Sequence, residues 1–257
     1  MRHAVLLALL LFTLPANSRA AFGLIISSDD IVGKEENAAL ALQISLFDPL
    51  QSRFLETARP KSFGVQHLGE QADLLATSKP AKIGTVAAWS TTFTVKRPGD
   101  HTFYAEYPPD WQATDDQFVV HYAKLCVNAL GLEEGWDEPV GLEGEIVPLS
   151  RPYGLWAGNL FSGQVLLNGE PAPYVMVAIA WLGPSPETRF TSAGTDAPYR
   201  IQTVRADANG VFHYAMPAAG WWGFAATMDA DWTIRREGEE KPVSLVTSYW
   251  VQARDLK

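Results

Sequence analysis

Histidine, cysteine and clustered carboxylates are the side chains in this sequence able to bind a metal or move a proton, and each kind is sparse or scattered. Four of the five histidines follow the first twenty residues: His67, His101, His121 and His213. None stands within four residues of another, so no local metal pair is written in the chain. His67 in VQHLGEQ reads as an exposed turn residue, and His101 in PGDHTFYAEY as a solvated or capping residue at the start of a strand. In FVVHYAKLCV, strand alternation puts His121 on one face with Val119, Ala123, Leu125 and Val127, while Tyr122 and Lys124 point the other way. A histidine on an apolar face needs a hydrogen-bond partner, so a satisfied core residue and a metal ligand both stay open. His213, on a face with Val211 and Ala215, has the same two readings.

The remaining chemistry is thin. The run LEEGWDEPVGLEGE holds Glu133, Glu134, Asp137, Glu138, Glu143 and Glu145, but the spacing does not match a calcium-binding EF-hand loop. It reads as a solvated loop that Trp136 folds back onto a core. Cys126 is the single cysteine, so no internal disulfide can form, and it is expected to pack as a small hydrophobe. The sequence contains no G-x-S-x-G elbow, H-E-x-x-H, P-loop or dinucleotide fingerprint, and catalysis is not expected.

The elements that must position these residues read as β almost throughout. AALALQISL, AAWSTTFTV, HTFYAEY, FVVHYAKLCV, FSGQVLL, YVMVAIAWL, VFHYAM and WGFAATM are short runs bounded by Gly, Pro, Asn or Asp. The expectation is an all-β protein of two β-sandwich modules, immunoglobulin-like or transthyretin-like. EIVPLSRPYGLWAGN separates the two blocks, with a hinge near Ser150, giving modules at 21–150 and 151–257. Asn168-Gly169 predicts a tight hairpin turn, and Asp207, Asn209 and Gly210 predict another. Trp221 and Trp222 fall on opposite faces of one strand, so at most one belongs to any aromatic platform.

MRHAVLLALLLFTLP has a charged start, an apolar run of about eleven residues and a breaking proline. Ser18-Arg19-Ala20 then permits cleavage before Ala21. The run falls short of the roughly 20 residues a membrane span needs. Residues 1–20 therefore read as a removed secretory signal, leaving an exported chain without membrane insertion. The formal net charge is −9, and loss of Arg2 and Arg19 with the leader would make it more acidic by two, −11. That balance opposes nucleic-acid binding.

Several of these segments, taken together, resemble a known family. HYAK, GWDEP, EIVPLSRPYGLWAGN, NGEPAPYVMV and DANGVFHYAMPAAGWWGFAA, with the AFGLIIS, KSFGV and KRPGDHTFY stretches, are similar in order to the periplasmic domain family associated with nickel uptake. Members are found beside energy-coupling-factor type nickel and cobalt transporters. The resemblance implies a periplasmic, non-enzymatic β protein that handles nickel or cobalt and meets the membrane component of such a transporter. It also implies metal ligands at three places. His121 in HYAK matches the family pattern. Ala21 stands where members carry a histidine before Phe-Gly, and Asp48 in SLFDPLQS stands where they carry a second one. Ala21 would bring only its amine, and a carboxylate selects nickel less well than imidazole does. The opening stretch is accordingly expected to start a strand, with an impoverished metal site at Ala21, Asp48 and His121. The reading from a different class is a non-metal envelope module that binds carbohydrate, polymer or a protein partner.

Overall fold

The structure, a computed structural model, describes residues 21–34, 38–184 and 197–256. The expected leader, residues 1–20, lies outside the described residues. The protein is all-β, and its two sandwiches share one long sheet. That sheet has eleven strands among the described residues. Its main path runs Ile201–Arg205, Met176–Gly183, Gly220–Arg236, Glu239–Arg254, Gln117–Ala129, Gly99–Glu106, Ser62–His67, Glu70–Asp73. A five-stranded sheet is built from Phe22–Ser27, Ala39–Asp48, Val86–Thr94 and Lys79–Ile83, with Arg53–Leu55 alongside Ala39–Asp48. A four-stranded sheet joins Gly144–Pro148, Leu160–Leu167, Glu170–Pro171 and Val211–Ala215.

Adjacent residues of the long sheet enter different cores. Trp221, Val127 and Trp250 pack with Phe22, Leu24 and Phe47 in the first core. Trp222, Cys126 and Tyr249 pack with Phe161, Val165 and Ile146 in the second. The two cores therefore lie on opposite faces of the sheet, and strands near its centre are covered on both sides. This explains why Gln117–Ala129 is buried at every position from Val119 onward, the pattern of a doubly covered strand. The faces expected for His121 and Tyr122 are correct, but neither face meets water.

Local turn chemistry follows the sequence closely. Leu167 pairs with Glu170, and between them Asn168 and Gly169 adopt φ of 54° and 81°, as a two-residue hairpin turn requires. Asp207 accepts backbone hydrogen bonds from Asn209 and Val211 at 2.8 and 2.9 Å, closing the second expected turn. The chain joins the four-stranded sheet at Gly144, ahead of Ser150. Its last long strand, Glu239–Arg254, returns to pair in parallel with Gln117–Ala129.

Candidate functional site

Of the three expected ligands, Ala21 and Asp48 lie at the adjoining ends of paired strands at the start of the first sandwich, and His121 lies on the strand Gln117–Ala129. Strand Phe22–Ser27 crosses Gln117–Ala129 at very short range: a Cβ on Gly23 would fall 2.8 Å from the Tyr122 carbonyl oxygen and 3.2 Å from Ala123 Cβ. Only glycine fits there. The Gly23 carbonyl accepts hydrogen bonds from Ser248 Oγ and Trp250 Nε1, each at 2.6 Å. Further along, Ile31 pairs in parallel with Asn128. The two segments thus run in the same direction, and Ala21 lies toward the His121 end of the crossing. On the other side, Phe22 pairs with Phe47, so Ala21 and Asp48 are the next residues on neighbouring strands.

His121 is buried, and its Nδ1 has no hydrogen-bond partner. Burial lowers its pKa to about 4, so the ring is neutral at pH 7. The Tyr107 ring meets it edge-on with centroids 6.5 Å apart. Tyr107 itself is fixed by donating its hydroxyl to the carbonyls of Leu24 and Ser45 at 3.0 and 2.8 Å. Asp48 is also buried, but its carboxylate is occupied locally. Oδ1 accepts from the Gln51 backbone at 3.1 Å, and Oδ2 lies 3.8 Å from Arg53 Nε. Asp-Pro-Leu-Gln is a side-chain-capped turn, a signal present in the sequence and passed over there. Ala21 is buried and contributes no side-chain donor. Among the described residues, no three His, Cys, Asp or Glu side chains are grouped to hold a metal.

The other histidines depart from expectation. His67 and His101 are both buried, not exposed or solvated, and their rings lie 4.5 Å apart. The acidic loop explains the covering of this corner: Asp100 N donates to Glu134 O at 3.1 Å. Gln66 and Gln71 also reach the loop, donating to the carbonyls of Pro139 and Val140 at 3.1 and 2.8 Å. His213 is the reverse case. It is exposed and bonded to Ser162 Oγ at 2.7 Å, because Phe212, the residue beside it, takes the core side.

The acidic run is not uniformly solvated. Glu145 is buried and paired with fully buried Lys124. Its carboxylate also accepts from the backbone amides of Val140, Gly141 and Leu142 at 2.7, 2.9 and 3.2 Å. Glu143 accepts from Trp232 Nε1 at 2.6 Å and Tyr122 Oη at 3.3 Å. Cys126 is buried, and desolvation pushes its thiol pKa well up, which keeps it protonated and unreactive.

The family model for a domain of unknown function, DUF4198, matches residues 18–230. The chain belongs to this family. No curated protein matches it. Among solved structures, the D0-D1 domain of intimin is 10% identical, with 89% of this chain and 98% of that one covered and a TM-score of 0.23. Trypsin-activated alpha-2-macroglobulin from Escherichia coli is 9% identical, covering 91% of this chain and 16% of that one, also at 0.23. The titin fragment A168169 is 12% identical, covering 89% and 98%, at 0.20. Likenesses at these TM-scores bear on neither the fold nor the function of this family member.

Proposed function

We propose that the protein is an exported, periplasmic accessory component of nickel or cobalt uptake that contacts its cargo ion through His121 and meets the membrane component of a transporter. Residues 1–20 are its leader, and the rest of the chain works as two sandwiches coupled through one shared sheet. No catalytic role is assigned. No described helix is long and apolar enough to cross a membrane.

One observation supports this reading above the others: the unpartnered Nδ1 of neutral, buried His121. Leaving a buried polar atom unpaired costs about 1–3 kcal/mol, a cost that ligation of a divalent ion would offset. Neutral imidazole is a suitable donor for nickel and cobalt. Asp48 would have to exchange its turn contacts to join, and Ala21 offers no side-chain donor. The ion would therefore be held weakly and released easily, which suits a carrier.

Calorimetric titration of the tag-free protein with Ni²⁺ and Co²⁺, beside His121→Ala, tests the proposal. Micromolar binding that the substitution abolishes is expected. Binding indifferent to His121, or none at all, would overturn it and favour an envelope module without metal.

A further inference from the structure

We infer that the cleft beside strands Ser62–His67 and Gly99–Glu106 is a two-imidazole site for a divalent transition-metal ion, with His67 Nδ1 and His101 Nε2 as ligands. This inference does not rest on the uptake role or on His121.

The backbone sets the tautomer of both rings. His67 Nε2 lies 3.0 Å from the Pro98 carbonyl oxygen, and His101 Nδ1 lies 3.1 Å from the Gly99 carbonyl oxygen. A carbonyl can only accept, so both of those nitrogens carry the proton. The lone pairs are then confined to His67 Nδ1 and His101 Nε2. Metal-bound histidines commonly show this arrangement, with the far N–H held by a backbone carbonyl. Here two consecutive carbonyls of one turn fix both rings. Gly99 makes the turn possible: its φ is +120°, and a Cβ there would stand 3.1 Å from His67 Nε2.

One of the two rings also carries an unmet demand. His67 is buried and its Nδ1 has no partner, although the ring beside it is another histidine.

The two rings are also close enough to share one ion. A metal–nitrogen bond of about 2.1 Å puts each ring centre about 3.2 Å from the ion. Centroids 4.5 Å apart lie within the separation that two imidazole ligands of one ion can span.

Both rings line a cleft of about 470 Å³ with Val65, Phe93, Glu70 and Arg97 among its walls. Glu70 stands opposite His67 across the hairpin and is bonded to Arg97 at 3.0 Å. Water, or Glu70 after it leaves Arg97, would fill the remaining coordination positions.

The test is calorimetric titration of the tag-free protein with NiCl₂, comparing wild type with His67→Gln, His101→Gln and His121→Ala, each checked for folding by circular dichroism. Weakening of one binding event by about tenfold or more in the two cleft variants, with that event intact in His121→Ala, is expected. Unchanged binding in folded His67→Gln and His101→Gln overturns the site, even where His121→Ala abolishes binding and so upholds the uptake reading. Should a cleft variant fail to fold, ¹⁵N-histidine spectra of wild type with substoichiometric Ni²⁺ decide. Selective broadening or shift of the His67 and His101 ring signals supports the site, and unchanged signals overturn it.

Discussion

A buried neutral histidine makes a protein's stability depend on pH, and here two of them act in the same direction. His121 and His101 both have folded-state pKa values of about 4 against an ordinary 6.5. Between those values the unfolded chain binds protons that the folded chain does not, so stability falls as pH drops through 6.5 toward 4. From pH 7 to pH 5 each ring should remove about 2 kcal/mol. Asp100, whose pKa is raised chiefly by burial, works with the opposite sign at the acid end. Urea unfolding at pH 7 and pH 5 should show a clear loss, and His121→Gln should recover about half of it. An unchanged pH slope in that variant would mean that His121 is not neutral in the folded state. His121 was legible in FVVHYAKLCV because its face followed from alternation. His67 and His101 were not, because what buries them is a loop some thirty or more residues further on.

At the scale of elements, the Lys124–Glu145 pair fastens the segment leading into the second sandwich to the central strand. Sequence alternation put Lys124 on the face away from His121, where lysine ordinarily means water. The second core covers that face instead, so the lysine is fully buried with its partner. Removing either member should have unequal effects. Glu145→Ala leaves a buried ammonium and three backbone amides, those of Val140, Gly141 and Leu142, without their acceptor. A loss of about 3–5 kcal/mol is expected. Lys124→Met leaves Glu145 still held by those amides and fills the space with an apolar chain, so its cost should be clearly smaller. Denaturant midpoints of the two variants check the order; equal losses would refute the assigned role of the amide cradle. The hairpin turns show the contrasting case. Asn168-Gly169 and Asp207-Asn209-Gly210 were readable because their geometry is set by neighbours in sequence.

For the whole molecule, the decisive feature is the parallel ladder from Phe118 opposite Val243 to Leu125 opposite Trp250. Alternation identified FVVHYAKLCV as a strand, whereas Glu239–Arg254 was not among the runs expected to be strands. Nor is there a sign in the sequence that the two are neighbours, because nothing local links residues more than a hundred positions apart. The consequence is energetic as well as topological. Trp221, Ala225, Val246 and Trp250 come from the second block yet fill the first core, and Cys126 goes the other way. The 21–150 segment by itself would expose Phe22 and Phe47, against which Trp250 packs, and would leave an edge of Gln117–Ala129 unpaired, an invitation to aggregation. Two sandwiches joined by a flexible hinge would melt in two steps, whereas a shared sheet couples them. Scanning calorimetry of the intact chain should therefore give one transition, with calorimetric and van't Hoff enthalpies in agreement. The isolated 21–150 segment should fail to give a cooperative transition of its own. Two resolved transitions, or a soluble and cooperatively folding 21–150 fragment, would show that the ladder joins two independently stable units.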